Sequence, residues 1–186
     1  MIINEESYDI LNISLEQEKS DPDYGSCLWC RVTLDLTNYT LSIHSDCGDY
    51  SYCGWLPTPE TESFLELLSR MDKSYLLSKI SAETCCNIQQ SIRRTCENVR
   101  EYIEHNSEED PIPSIECIEE SISELSEELS NSELFYYRCQ GILDSYNIHD
   151  SFEIIELVMD YPSRAKRIAD IFEQHIQPYI KQRLND

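Results

Sequence analysis

The hydrophobic period of this chain changes near residue 56, and that change limits the folds open to it. Before it, apolar residues recur at every second position; after it, they recur at helical spacing. Leu28, Cys30, Val32, Leu34 and Leu36 share one face of a segment whose other face carries Trp29, Arg31, Thr33 and Asp35, the pattern of a half-buried strand. Asp9, Leu11, Ile13 and Leu15 align in the same way in an earlier segment. Residues 39–44, with Leu41 and Ile43 inward, and residues 50–55 read as two further strands. Asp23-Tyr24-Gly25-Ser26, Thr37-Asn38 and Asp46-Cys47-Gly48-Asp49 are turn signals between them. This order predicts an antiparallel meander with one face to cover.

The cover should be helical. Thr58, Pro59 and Glu60 suit a helix start, and Phe64, Leu67, Leu68 and Met71 form a stripe. A short helix carries Tyr75, Leu76, Leu77 and Ile80. A long one over 82–105 aligns Cys85, Ile88, Ile92, Cys96, Val99 and Ile103. After a linker at 106–113, Ser114 caps a helix to about 130, with Ile115, Ile118, Ile122, Leu125 and Leu129 in a coiled-coil-like seam that would pack internally or pair with a second copy. Segments 132–145, 150–160 and 163–184 follow. The last aligns Ile168, Ile171, Phe172, His175, Ile176, Tyr179 and Ile180, with Pro178 as a kink. The expected class is α+β: an N-terminal antiparallel sheet of three or four strands packed with helices, then a mostly helical C-terminal part. The expected division is 1–80, a meander with short helices, and 81–186, a helical region with the acidic helix 114–130, together one compact unit.

Charge narrows the partners. Against 36 Asp and Glu stand 14 Lys and Arg, a formal charge of −22. Such a chain repels nucleic acid and anionic membrane and is drawn to basic protein surfaces, which commonly belong to nucleic-acid-binding proteins. Twelve Tyr and 40% apolar residues argue for a folded core rather than disorder. The N-terminus lacks the basic and apolar regions of a signal peptide, and no apolar run reaches about 18 residues. The expectation is a protein of a reducing cytoplasm, with its nine cysteines mostly free thiols.

Residues 101–137 hold twelve carboxylates and no Lys or Arg. Glu116, Glu119, Glu120, Glu124, Glu127 and Glu128 fall away from the isoleucine seam. On a continuous helix they span about 18 Å at about 1.5 Å per residue, one charge every ~3.6 Å, close to the ~3.4 Å of a DNA strand. Like-charged pairs at i,i+3 and i,i+4 each cost about 0.2–0.5 kcal/mol, so local helix stability does not explain the row. A basic partner does, and a merely solvated face is the plain alternative.

Other motifs carry less. Cys27 and Cys30 form a CxxC, with Cys47 and Cys53 behind it; a four-thiolate zinc site is disfavoured, because a regular strand points Cys27 and Cys30 to opposite faces unless a knuckle turn begins at Gly25, and the second pair has five residues between its thiols rather than two. No cofactor or metal is expected. His44-Ser45-Asp46 cannot form a relay on a strand, and glycine-rich phosphate loops, HExxH and GxSxG are absent, so no enzyme is expected. His44, Asp46 and Asp49 are the best candidates for the enzymatic alternative, a metal-dependent nuclease site. Tyr50, Tyr52 and Trp55 beside Asp46 and Asp49 would suit an Arg- and Lys-rich partner, or would lie under the helices as core.

The stretches Ser20-Asp21-Pro22-Asp23-Tyr24-Gly25-Ser26-Cys27-Leu28-Trp29, residues 39–48 and Pro57-Thr58-Pro59-Glu60-Thr61-Glu62-Ser63-Phe64 resemble a small phage-borne protein type of gut Firmicutes, over roughly residues 7–80. Type II-A anti-CRISPR proteins, inhibitors of the Cas9 nuclease, include members of this kind. The resemblance implies direct binding to Cas9 or its guide RNA complex and carries over no catalytic residue. Expected contact residues are Glu116, Glu119, Glu120, Glu124, Glu127, Glu128, Asp46, Asp49, Tyr50 and Tyr52. An immunity protein against a basic nuclease toxin would act by the same physics.

Overall fold

A computed structural model describes residues 8–55, 63–106, 114–127 and 131–186. Four strands, β1 (Ile10–Glu16), β2 (Trp29–Asp35), β3 (Thr40–Ser45) and β4 (Gly48–Tyr52), form an antiparallel sheet in the order β1-β2-β3-β4. Register places Val32 opposite Ile13 and Ile43, and Leu34 opposite Leu11 and Leu41. The alternation expected from sequence is therefore the alternation of burial: Cys30, Val32, Leu34, Leu41 and Ile43 are buried. Leu28, just before β2, is exposed instead of inward.

Helices α1 (Phe64–Arg70) and α2 (Lys73–Ile80) follow the sheet. Ser63 caps α1 in a capping box with Glu66. Its extended backbone starts the helix at Phe64; the helix start expected at Thr58, Pro59 and Glu60 lies outside the described residues. Then come β5 (Cys85–Cys86), α3 (Ile88–Asn106), α4 (Ile115–Ser123) with a 3-10 turn over Glu124–Glu127, α5 (Ser132–Ser145), α6 (Ser151–Ile154), β6 (Met159–Asp160), α7 (Ser163–Ile171) and α8 (Gln177–Asn185). The α+β class holds.

The chain divides into two compact units, residues 1–82 with 161–186, and residues 83–160. The C-terminal helices thus group with the sheet, unlike the expected division at residue 80. Chemistry explains this. Ile168, Ile171, Phe172, Ile176 and Ile180 share one core with the sheet's inner face and with Phe64, Leu68, Leu76 and Leu77. Ion pairs Arg167–Asp23 and Lys73–Asp170 close the edges. His175 and Tyr179, expected inward, are exposed. A π turn over Phe172–Ile176 precedes Pro178 and shifts the stripe. Pro178 has no N–H to give to the carbonyl four residues back, and the wider turn absorbs that defect.

In residues 83–160, Val99 and Ile103 of α3, Ile118 and Ile122 of α4, and Phe135, Cys139 and Leu143 of α5 make a separate core. The isoleucine seam is used inside this unit, which removes it as an argument for a homodimer. Two helical expectations fail. Cys85 is on a short strand and exposed, because Cys85–Cys86 pairs with Met159–Asp160. The helix expected over 150–160 stops at Ile154 for the same pairing.

Candidate partner-binding surface

The acidic helix is shorter than its sequence pattern. Ser114 caps α4 through the Cys117 N–H. Helical hydrogen bonding ends at Ser123, where the 3-10 turn begins. Of the expected row, Glu116, Glu120 and Glu124 are exposed. At i,i+4 spacing they stand about 6 Å apart along the axis at about 1.5 Å per residue. The match to strand phosphate spacing does not hold for these three. Glu128 and the side chain of Glu127 lie outside the described residues. Glu119 is half-buried and receives a hydrogen bond from Arg100 of α3 (Nη2 to Oε2, 2.8 Å). A base from just before the base-free stretch therefore neutralises one member of the row. The Glu116 carboxyl sits below the usual carboxylate range, held by its own backbone N–H and then by the Ser114 hydroxyl at the helix start.

What survives is a concentration of charge. Residues 83–160 contain nineteen Asp and Glu, four Arg and no Lys. Arg93 and Arg94 reach Glu97 at 3.9 and 3.0 Å, and Arg100 holds Glu119. Three of the four cations are thus committed internally.

Beside Glu124 runs a groove of about 420 Å³ between α4 and α5, lined also by Ser121, Tyr137, Arg138 and Gly141. Tyr137 is 68% exposed, and Leu134 on the same side of α5 is exposed too. Gly141 leaves the groove floor open, with nothing within 4 Å of where a Cβ would stand. A guanidinium from a partner could lie on the Tyr137 ring and pair with Glu124, in competition with Arg138. Sequence reading missed Tyr137 because α5 shows a weak apolar stripe. The available signal was Leu134, Tyr137 and Gly141 at i, i+3 and i+7.

At the sheet, the expected contact residues separate. Asp49 lies exposed opposite His44, and their side chains are paired (His44 Nδ1 with Asp49 Oδ1). Trp29 meets His44 edge-on at 5.2 Å. Tyr50 and Tyr52 take the other face and pack against the core. The Tyr50 hydroxyl donates to Cys47 O at 3.2 Å, and desolvation first of all raises its pKa. Tyr52 packs on buried Trp55 at 4.6 Å, with the Lys79 ammonium over its ring at 5.4 Å. Asp46 turns to the backbone N–H groups of Leu28 (2.9 Å) and Trp29 (3.5 Å). Asp46 is thus turned away from the His44–Asp49 pair, and the three side chains do not converge on one point.

The thiols also divide. Cys27, Cys30, Cys47 and Cys139 are buried; Cys53, Cys85 and Cys117 are exposed. Cys27 and Cys30 do not face opposite sides, because β2 starts only at Trp29. Burial pushes the Cys30 thiol up to about 11 and that of Cys139 to about 12. Cys53 follows β4 while Cys47 precedes it, a separation of about 20 Å in extended chain, so the four cysteines at 27, 30, 47 and 53 cannot share one ion.

Among the described residues, no helix is long and apolar enough to cross a membrane. No curated protein and no solved structure matches the chain. A phage family, Phage_phiTE_072, matches residues 1–182. With nearly the whole sequence matched, the chain belongs to this phage family.

Proposed function

We propose that this phage protein is a non-enzymatic inhibitor that binds the basic nucleic-acid-binding surface of a Cas9-type nuclease, free or with its guide RNA, and blocks DNA binding or cleavage. The observation that carries the reading is the uncompensated acid of residues 83–160, nineteen carboxylates against four arginines of which three are already paired. A field of this kind speeds encounter with a cationic channel and repels the nucleic acid that competes for it. Glu116, Glu120 and Glu124 would face the channel, and Tyr137 would anchor an arginine from its wall. The choice of a Cas9-type nuclease rests on the resemblance of residues 7–80. Membership of a phage family agrees with an inhibitor of host defence. The divergence of His44, Asp46 and Asp49 favours binding over metal-dependent cleavage of guide RNA.

The test is capture of purified Cas9, with and without guide RNA, by the immobilised protein, alongside target-DNA cleavage. Capture with loss of cleavage supports the reading. Cleavage at full rate with the protein in large excess rejects it.

A further inference from the structure

We propose that Cys27, Asp46 and Cys47 form a binding site for one thiophilic divalent cation of the zinc type. The sheet brings them together. Cys30 pairs with Ser45 across β2 and β3, so the segment entering β2 lies beside the β3–β4 turn that carries Asp46 and Cys47. One ligand atom from each of the three residues lies within 4.8 Å of the others. Two sulfurs bound tetrahedrally at about 2.3 Å stand about 3.8 Å apart, so closing on an ion needs only small side-chain motion.

Hydrogen bonds already hold the candidate ligands in position. The Leu28 and Trp29 N–H groups fix the Asp46 carboxylate at 2.9 and 3.5 Å. The Cys47 N–H donates to Ser45 Oγ at 3.2 Å, and that hydroxyl donates to Gly48 O at 2.8 Å. Such contacts orient the groups that bind a metal and raise its affinity. The Cys47 thiol donates to Ser26 O (3.1 Å) and the Cys27 thiol to Trp29 O (3.6 Å). Binding would release both thiol protons to solvent and form two S–metal bonds and one O–metal bond, with no change of oxidation state. Cys27 also lines a cavity of about 440 Å³ with Asp23, Arg167 and His175, and Asp46 is exposed to solvent.

A carboxylate held beside two buried thiols sets this cluster apart from cysteines that only fill a core. Cys139, buried among Phe135 and Leu143 in the other core, shows the ordinary case. Two sulfur ligands select zinc-type ions over Mg2+, Ca2+ or Mn2+.

The probes are Co2+ and Zn2+, added to the full-length protein after chelation under reducing conditions. The expected result is a sulfur-to-cobalt charge-transfer band that saturates at one equivalent, disappears on addition of Zn2+ and is unaffected by excess Mg2+. Cys27→Ser with Cys47→Ser should abolish the band, and Asp46→Ala should weaken Co2+ binding at least tenfold. Cys53→Ser with Cys117→Ser should leave both unchanged. Circular dichroism verifies that each variant is folded. A chelated wild type that shows no band overturns the proposal without reference to any variant. So does a band that survives in the folded Cys27→Ser, Cys47→Ser protein.

Discussion

Gln177 should hold the sheet-containing unit together out of proportion to its size. It is only 6% exposed, and its side-chain amide donates to Leu68 O (2.9 Å) and to Met71 O. Both acceptors lie at the C-terminal end of α1, where the last carbonyls of a helix have no partner in the helix itself. Leu68 and Met71 are themselves buried, so water does not replace the donor readily. Gln177→Leu keeps most of the volume and removes the donor. Each orphaned buried carbonyl costs about 1–3 kcal/mol, so the pair should cost roughly 3 kcal/mol. Gln177→Ala adds a cavity and should cost about 1 kcal/mol more. At about 2–4 °C per kcal/mol for a chain of this length, the midpoint should fall by roughly 6–12 °C. Both tryptophans, Trp29 and Trp55, lie in this unit, so urea titration followed by tryptophan fluorescence reads it alone. Gln174→Ala, at an exposed position one turn earlier, is the control. A Gln177→Leu protein within about 0.5 kcal/mol of wild type would refute the capping role, since such a loss is below the cost of one orphaned carbonyl.

Alkylation under native conditions near pH 8 should modify Cys53, Cys85 and Cys117 first. Cys30 and Cys139, with thiols pushed up to about 11 and 12, should react only after unfolding, as peptide mass mapping will show. Asp46 should matter in a pH-dependent way. Partial desolvation raises its carboxyl, but hydrogen bonds, including those from the Leu28 and Trp29 N–H groups, outweigh this and hold the folded value below the ordinary one. Its contribution is therefore complete above about pH 3.9 and lost as pH falls through the folded value. The stability gap between wild type and Asp46→Ala, followed by thermal melts, should close on acidification through that range. Ser63→Ala removes the α1 cap and should lower stability by about 1 kcal/mol in the same urea assay. Glu119→Gln should change partner binding less than Glu120→Gln, because Arg100 already holds Glu119, and titration calorimetry with the partner compares the two.

The sheet was legible because its burial has period 2 and turn residues mark each reversal. Val32, Leu34, Leu41 and Ile43 are all buried as their alternation demands. Helix lengths were less legible. Glu124 and Leu125 continue the heptad spacing of α4, but spacing does not reveal where α-helical hydrogen bonding gives way to a 3-10 turn. Cys85 fitted the α3 stripe by position, and only its pairing with a distant strand, at Asp160, takes it out of the helix. Gln177 reads as a surface residue in sequence, since nothing local shows that a helix end waits opposite it. At the candidate site, sequence located the acid but not its neutralisation. Arg100 is nineteen positions from Glu119 in the chain and is brought to it by the packing of α3 on α4.

Uncompensated acid along α4 and the turn after it should contact a cationic, nucleic-acid-binding surface of the partner. The direct measurement is the salt dependence of Cas9 affinity for wild type and for Glu120→Lys with Glu124→Lys, each verified as folded. Wild-type affinity should fall steeply with salt, and the double variant should bind at least tenfold more weakly at low salt, with a shallower slope against log salt. Equal affinity with an unchanged slope in the double variant would contradict it.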